Sequence, residues 1–404
     1  MSKIHKALPA GWKEAQLSEI AQINPGRSFD LPDDAKVSFL AMPDVTEEGR
    51  IINRQEKTLA EVKSGFTHFI NGDILVAKIT PCFENSKGAL VHGMTNGVGF
   101  GSTEFHVIRP IDPADREFIF YHTTSHEFRV RGELHMVGSA GQKRVPADYL
   151  REYTFGFPPA EERRRISETL RTWDEAIALQ TRQLQQLKRR LNKLREDLLL
   201  AKRRLTGFSK PWQEVEIGAI LKEVKRRVIW NENEEYALIS MRRRSGGAFL
   251  RERLFGHQIL TKNLRTAHAG DFLISKRQIV HGASGLVPAE LDGMKISDAY
   301  VALLPRNPAA FDINFFDCLS KLPWFYHLCY VCSHGIHIEK MMFDSADFLS
   351  RIIKVPEIDE QRAIAEILNT AEAEIRLHER KLEVLREQKR GLLQQLLTGE
   401  ILLS

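Results

Sequence analysis

The chain repeats itself at half its own length, and that repeat limits every fold it can adopt. The segment Gly72-Asp73-Ile74-Leu75-Val76-Ala77-Lys78 returns 198 residues later as Gly270-Asp271-Phe272-Leu273-Ile274-Ser275-Lys276. The same shift carries Pro158-x3-Glu162-x-Arg164-x-Ile166-x-Glu168-x-Leu170 onto Pro356-x3-Glu360-x-Arg362-x-Ile364-x-Glu366-x-Leu368. Near that spacing Trp12-Lys13-Glu14 maps to Trp212-Gln213-Glu214, and Asp148-Tyr149-Leu150 to Asp347-Phe348-Leu349. Four anchors in one order at nearly one spacing mark a tandem duplication. A chain of 404 residues also exceeds what one hydrophobic core organises.

Each half reads as a globular part followed by a long helix. The expected fold class is α+β: two pseudo-symmetric globular α/β domains joined by two long antiparallel coiled-coil helices. The expected boundaries are 1–157 for the first globular domain, 158–207 for the first helix, 208–355 for the second domain and 356–404 for the second helix. Short β-rich runs lie at Ile74–Ile79, Glu104–Ile108, Phe272–Ser275 and Tyr300–Leu304, with turn residues at Asn71-Gly72, Asn96-Gly97 and His281-Gly282. Short helices are expected at Asp115–Ser125 and Phe311–Cys332.

The long helices follow from periodicity. Leu170, Trp173, Ile177, Leu184, Leu187, Leu191, Leu194, Leu198 and Leu205 advance in alternating steps of four and three, with Gln180 and Ala201 filling the gaps. That is a heptad seam. Ile364, Leu368, Ala371, Ile375, His378, Leu382, Leu385, Lys389, Leu392 and Leu396 continue it in the second half. Between Ala160 and Gly207 there are 13 basic and 7 acidic residues; between Glu357 and Glu400 there are 7 and 10. Rods of opposite sign attract. An antiparallel pair places the domains at opposite ends, a calliper that measures a fixed distance.

No apolar run reaches the 18 residues of a membrane span, and the four cysteines form no disulfide framework, so a cytoplasmic protein is expected. The net charge of +5 is compatible with a polyanionic partner.

Several patterns imitate catalytic or metal chemistry. Gly97-x-Gly99-x-Gly101 resembles a cofactor loop, but it precedes a β-like run, where such a loop should open a helix. Cys329-x2-Cys332-x-His334-x2-His337 has zinc-type ligands without the long separation between pairs that lets a chain wrap the ion. Asp44 with Glu61-Val62-Lys63 imitates a nuclease, though Glu61–Lys63 reads as an exposed helix or turn, and Glu223-Val224-Lys225 is a second such triplet. No P-loop, serine elbow, HExxH or adenine-methyltransferase motif occurs. Neither catalytic residues nor metal ligands are assigned.

Further segments complete a pattern: Leu8-Pro9-x-Gly11-Trp12-Lys13, Thr80-Pro81 after Lys78, Gly101-Ser102-Thr103-Glu104-Phe105, and Ser139-Ala140-Gly141-Gln142-Lys143-Arg144 before Pro158-Pro159-x-Glu161-Glu162-Arg163. Gln388-Lys389-x2-Leu392-Leu393-x2-Leu396-Leu397-Thr398-Gly399 closes it. In this order, over essentially the whole chain, they resemble the specificity subunits of type I restriction–modification systems. The second half departs from the pattern, with Ser333-His334-Gly335-Ile336-His337-Ile338-Glu339-Lys340 and Arg277-Gln278 at the comparable places.

The resemblance implies a non-catalytic, cytoplasmic subunit. Its two target-recognition domains each read half of a bipartite site in double-stranded DNA. The helices set the gap and dock the modification (methyltransferase) subunits, alongside restriction (translocase/nuclease) subunits. No cofactor is expected on this chain; S-adenosylmethionine, ATP and Mg belong to the partners. Reading base edges needs donors and acceptors, and positioning on phosphates needs basic or hydroxyl groups. The candidate DNA-binding residues are Lys78, Thr80, Asn85, Lys87, Gln142, Lys143 and Arg144 in the first domain. In the second they are Lys276, Arg277, Gln278, His337 and Lys340. The clusters Arg242-Arg243-Arg244 and Arg251–Arg253 are alternatives. The competing readings are an enzyme, against which the missing motifs count, and a coiled-coil scaffold that binds proteins.

Overall fold

Short apolar runs bounded by glycine turns make short strands, and in the computed structural model, which describes residues 8–27, 30–139 and 141–403, those strands pair in one order twice. Ala140 of the Ser139–Arg144 segment lies outside the described residues. Two compact units result, Met1–Thr181 with Arg380–Ser404, and Arg182–Glu379. The division therefore falls within both long helices, and each unit takes one globular part with a portion of each helix.

The strands of the first unit are β1 (Lys13–Gln16), β2 (Ala21–Ile23), β3 (Lys36–Leu40), β4 (Gln55–Thr58), β5 (Thr67–Ile70), β6 (Ile74–Ala77), β7 (Gly88–Leu90), β8 (Val98–Gly101), β9 (Phe105–Pro110) and β10 (Thr154–Phe157). Its short helices are α1 (Leu17–Ile20), α2 (Leu59–Val62), α3 (Arg116–Thr124), α4 (His126–Leu134) and α5 (Ala147–Glu152), followed by the long α6 (Ala160–Leu199). One sheet has the order β2-β9-β6-β7, the other β4-β3-β8-β5, and β1 pairs with β10.

In the second unit the strands are β11 (Gln213–Glu216), β12 (Leu221–Val224), β13 (Glu235–Met241), β14 (Ala248–Phe255), β15 (Leu264–Thr266), β16 (Phe272–Ser275), β17 (Ser284–Leu286), β18 (Lys295–Ser297), β19 (Tyr300–Pro305), β20 (Ser333–His334), β21 (Met342–Phe343) and β22 (Ile352–Val355). The helices are α7 (Ile217–Ile220), α8 (Ile313–Ser320), α9 (Pro323–Val331), α10 (Ser345–Leu349) and the long α11 (Ile358–Leu397). The sheet orders are β12-β19-β16-β17 and β14-β13-β18-β15, with β11 on β22. Even the parallel pairing recurs, β3 with β8 and β13 with β18.

The repeated Gly-Asp segment explains itself in this setting. Gly72 and Gly270 have φ of +93° and +86°, a conformation that side chains resist. The aspartates that follow are buried and cap the turn, Asp73 Oδ2 accepting from Ile70 N at 2.8 Å and Asp271 Oδ2 from His268 N at 2.9 Å. Each then enters a central strand. Because strand side chains alternate, Ile74 and Val76 join the cluster of Phe118 and Ile119 on α3, while Leu75 and Ala77 join that of Phe105 and Val107. A strand covered on both faces must be apolar throughout, as this one is.

Several expectations need correction. The Phe311–Cys332 run is two helices, because Pro323 lacks the N–H that a continuous helix needs and starts α9 instead. The Asp115–Ser125 helix is α3, and α4 follows directly after Ser125 caps it. The first long helix stops at Leu199, so Leu205 lies beyond it. There Ala201 takes a φ of +54° and Arg203 N bonds back to Asp197 O at 2.9 Å. In Gly97-x-Gly99-x-Gly101 the first glycine lies in the turn before β8, and Gly99 and Gly101 lie within that strand. A side chain at Gly99 would put its Cβ 2.1 Å from the Phe69 ring, so the glycines let that ring lie across the strand.

In the first long helix residues seven apart are buried, Leu170, Ile177, Leu184, Leu191 and Leu198. In the second Leu368, Ile375, Leu382 and Leu396 are buried, with half-buried Lys389 at the position between the last two. Within the second unit Lys188 meets Glu379 at 2.6 Å and Arg195 meets Glu372 at 2.7 Å. One number rises as the other falls, so the helices run antiparallel there. Within the first unit Lys389 Nζ meets Asp174 Oδ1 at 2.6 Å, and Ile166 and Leu170 share a core with Leu393, Leu396 and Leu397. Among the described residues no helix is long and apolar enough to cross a membrane.

Candidate functional site

In each unit the central strand runs out of the sheet into a largely half-buried loop with exposed residues at Asn85 and at Arg277, and a second segment is stapled against that loop by its backbone. In the first unit Ala77 N donates to Lys87 O (2.9 Å), Lys78 N to Glu104 O (2.9 Å) and Val145 N to Lys78 O (2.9 Å). In the second, Ser275 N donates to Ala283 O (3.0 Å), Lys276 N to Ala299 O (2.8 Å) and Phe343 N to Lys276 O (2.9 Å). Three backbone bonds of the same kind hold two sequences that share little else. Backbone geometry is thus preserved where side chains differ.

This framework brings the first-domain candidates together. Thr80 N donates to Lys143 O at 3.0 Å, and Ile79 bridges to Arg144. Asn85, Gln142 and Lys143 are exposed, and Lys87 and Thr80 are half-buried. Thr80 Oγ1 is bound to Glu84 Oε1. Two candidates are placed differently from a simple exposed loop. Arg144 grips Glu104 through Nε and Nη2, the latter at 2.7 Å, and this bonding holds the Glu104 carboxyl below its usual range. Lys78 lines a cavity of about 290 Å³ with Asn24, Arg27, His68 and His106. Burial lowers the pKa of His68 to about 4, and that of His106, whose Nε2 lies 2.9 Å from Val145 O, is lowered as well.

The second-domain candidates also converge. Arg277 is exposed, Lys276 is half-buried, and Gln278 Oε1 accepts from Arg243 Nε at 2.8 Å. His337 and Lys340 are exposed in the segment between β20 and β21. That segment corresponds to residues 137–144 of the first domain, where Val137 bridges to Arg144. Sequence reasoning gave Arg242–Arg244 only as an alternative. The structure docks their turn on the loop after β16, Arg244 N donating to His281 O and Ser245 N to Gly282 O, both at 2.7 Å. The available signal was three consecutive arginines beside Ser-Gly-Gly between two strands; nothing local indicated the docking partner.

The imitation motifs resolve into structural roles. Glu61 Oε2 accepts from Thr58 N at 2.7 Å at the start of α2, and Lys63 pairs with Asp33, so neither joins Asp44, which accepts from Ala41 N and Asn53 Nδ2. Glu223 pairs with Arg265 and Lys225. Cys329 and Cys332 are core residues whose thiols burial holds above the usual range, while His337 is exposed. Among the described residues no cluster of three or more His, Cys, Asp or Glu is arranged to hold a metal.

Known proteins share this arrangement. The type I restriction modification DNA specificity domain matches residues 9–189. Two curated relatives from Escherichia coli, the type I restriction enzyme EcoAI and EcoEI specificity subunits, are each 46% identical over 162 residues. That is 39% of this chain, and the match spans only 27% of the length of either relative. Among solved structures, the type I restriction-modification S subunit from M. genitalium superposes with a TM-score of 0.59 at 15% identity, over 98% of both chains. A chain solved in work on complex assembly and conformational transition of the type I R-M system gives 0.57 at 19% identity, over 98% of this chain and 100% of that one. At those identities the likeness is one of fold. Residues 9–189 thus match the DNA specificity domain of type I restriction–modification systems, and beyond them the likeness is one of fold.

Proposed function

We propose that this chain is the non-catalytic reader of a bipartite site in double-stranded DNA. Each globular domain takes one half-site through the loop that follows its central strand and the segment stapled to it. The observation that carries this reading is the doubled staple: Val145 N on Lys78 O and Phe343 N on Lys276 O fix two loops on one backbone plan. Donors and acceptors suited to groove edges stand on these loops in Asn85, Gln142, Gln278 and His337, and phosphate ligands in Lys87, Lys143, Arg277 and Lys340.

The two long helices act as one antiparallel coiled-coil spacer, setting the gap between half-sites. Their exposed faces dock methyltransferase subunits, and restriction subunits join that assembly in the cytoplasm. Methyl transfer from S-adenosylmethionine and ATP- and Mg-dependent steps belong to those partners. The specificity-domain match over residues 9–189 and the buried repeat of the long helices support this division of labour.

Mapping methylated adenines in cells that carry the chain with its modification subunits tests the reading. The expected result is a two-part site with a fixed gap. Inserting four residues after Leu187 adds about 6 Å of helix, so the gap should lengthen while both half-sites keep their sequence. Altered half-site bases at the old spacing would reject the spacer role.

A further inference from the structure

The connection between β3 and β4 differs from its counterpart between β13 and β14. In the first unit it is the long segment 41–54, and it turns toward the helices. Arg50 Nη2 donates to Asp174 O at 2.8 Å, and Glu48 meets Arg386 at 3.0 Å. In the second unit it is a tight turn, residues 242–247, with Arg244, Ser245 and Gly247 at φ of +58°, +53° and +80°. This turn leans on the recognition loop, and among the described residues no hydrogen bond or ion pair joins it to the long helices.

Four contacts make the turn and the loop one body. Two are the backbone bonds from Arg244 N and Ser245 N. The third is Arg243 Nε on Gln278 Oε1. The fourth is Ser245 Oγ with Tyr326 Oη at 2.5 Å, where Tyr326 rises from α9 beneath the loop. Its ring leaves no room at Gly282, where a Cβ would lie 2.4 Å away. The three arginines are exposed. Arg242 stacks on Phe249 at 4.3 Å, which orients its guanidinium without using its donors. Arg243 comes within 3.5 Å of Glu339, on the segment that carries His337 and Lys340. No ion pair is found for Arg242 or Arg244 among the described residues.

We infer that the turn 242–247 is a backbone-phosphate clamp for duplex DNA, present in the second recognition domain and missing from the first. The inference rests on the DNA-reading function proposed above. Exposed arginines with uncommitted donors, on a turn joined directly to a reading loop, fit a row of phosphates. They fix the duplex against the loop and carry no base information of their own. The two half-sites are then bound unequally, the second depending more on charge.

The test compares the full chain with an Arg242→Gln, Arg244→Gln double variant, modification subunits being present in both samples. Affinity for a random-sequence 40-base-pair duplex is measured across a salt series. Each phosphate contact contributes about −0.9 to the slope of log K against log salt. The variant should therefore have a slope shallower by about 1.8 and bind on the order of 50-fold more weakly at 0.1 M salt. On a duplex bearing the mapped site, the preference for specific over random sequence should stay unchanged. Lys210→Gln with Lys354→Gln supplies the control, since it removes the same charge from residues already paired with Glu357 and Glu214. An equal loss in that control reduces the effect to net charge and overturns the clamp. So does an unchanged slope, including the case where the clamp variant instead loses its modification subunits, which would make the turn a protein-docking surface. A wild-type chain that does not bind duplex overturns the DNA-reading function and the clamp together.

Discussion

The two units share their strand order and their loop staples, yet carboxylates at equivalent positions have changed side-chain partner. Asp73 is held by Arg109 from β9, at 2.7 and 2.8 Å, whereas Asp271 is held by Arg226, beyond the end of β12, at 2.6 and 3.1 Å. Glu162 accepts from Trp12 Nε1 at 3.0 Å; its repeat, Glu360, takes Arg204 instead at 2.6 and 2.7 Å. Backbone pairing and apolar burial depend on chain direction and side-chain volume, which tolerate drift. An ion pair needs only that some cation reach the carboxylate, so its source wanders. The duplicated halves therefore keep a geometry and exchange the residues that tune it.

Removing those carboxylates should produce the largest difference between the units. Asp73→Ala strands the Arg109 side chain, which is only 17% exposed, and breaking such a buried pair costs about 3–5 kcal/mol. Asp271→Ala should cost clearly less, because Arg226 is 31% exposed and can turn to water. Peptide-resolved hydrogen exchange assigns each loss to its unit. Equal losses would mean that the partner swap has no energetic consequence.

Which parts of this were legible in the sequence follows the same division. Periodicity and repetition are written in residue types, so the long helices, the central strands and the duplication could be read directly. The break at Pro323 carried its own signal, which the apolar composition of Phe311–Cys332 outweighed. What stayed hidden were contacts between segments remote in sequence. Arg144 is committed to Glu104, Lys78 faces a cavity, and Arg242–Arg244 dock on the loop after β16. Motif position placed these residues near the site; only the fold says which of them have donors to spare.

Acid should separate the units next. In the first unit burial holds His122 at about 3 and His68 at about 4, against an ordinary 6.5, and lowers His106 as well. Among the described residues no histidine of the second unit is buried. These rings are neutral in the folded state, while in the unfolded chain they take up protons below about pH 6.5. Stability is thus complete above pH 6.5 and falls as pH drops toward the folded-state values. For His122 alone the loss at pH 5 is about 2 kcal/mol. Exchange rates in the first unit should rise between pH 6.5 and 5 while the second unit holds. Parallel destabilisation of both units would show that the histidines are not what distinguishes them.

The smallest effect comes from one equivalent position. The fourth residue of α4 is Arg129 and the fourth of α9 is Tyr326, and each lies beneath the recognition loop of its unit. Arg129 Nη1 donates to Phe83 O at 3.1 Å and its guanidinium stacks 4.7 Å from the Phe83 ring, but Nε and Nη2 are buried with no partner. Burial pushes its pKa down to about 9, a sign of how poorly the charge is solvated. Arg129→Met gives up one charge-assisted bond, worth about 1.5–3 kcal/mol, and relieves two stranded donors that cost about 1–3 kcal/mol each. The flexible thioether also fills much of the same space. The balance is a change within about 1 kcal/mol of zero or a slight gain. Tyr326→Phe loses only the hydroxyl bond to Ser245, which is half-buried and can turn to water, for a cost of about 0.5–1 kcal/mol. The more drastic substitution should therefore be the milder one, as read from urea midpoints of the two variants. An Arg129→Met loss above about 3 kcal/mol would mean that the guanidinium is fully satisfied in the fold. The two loops would then rest on supports of comparable strength despite their different chemistry.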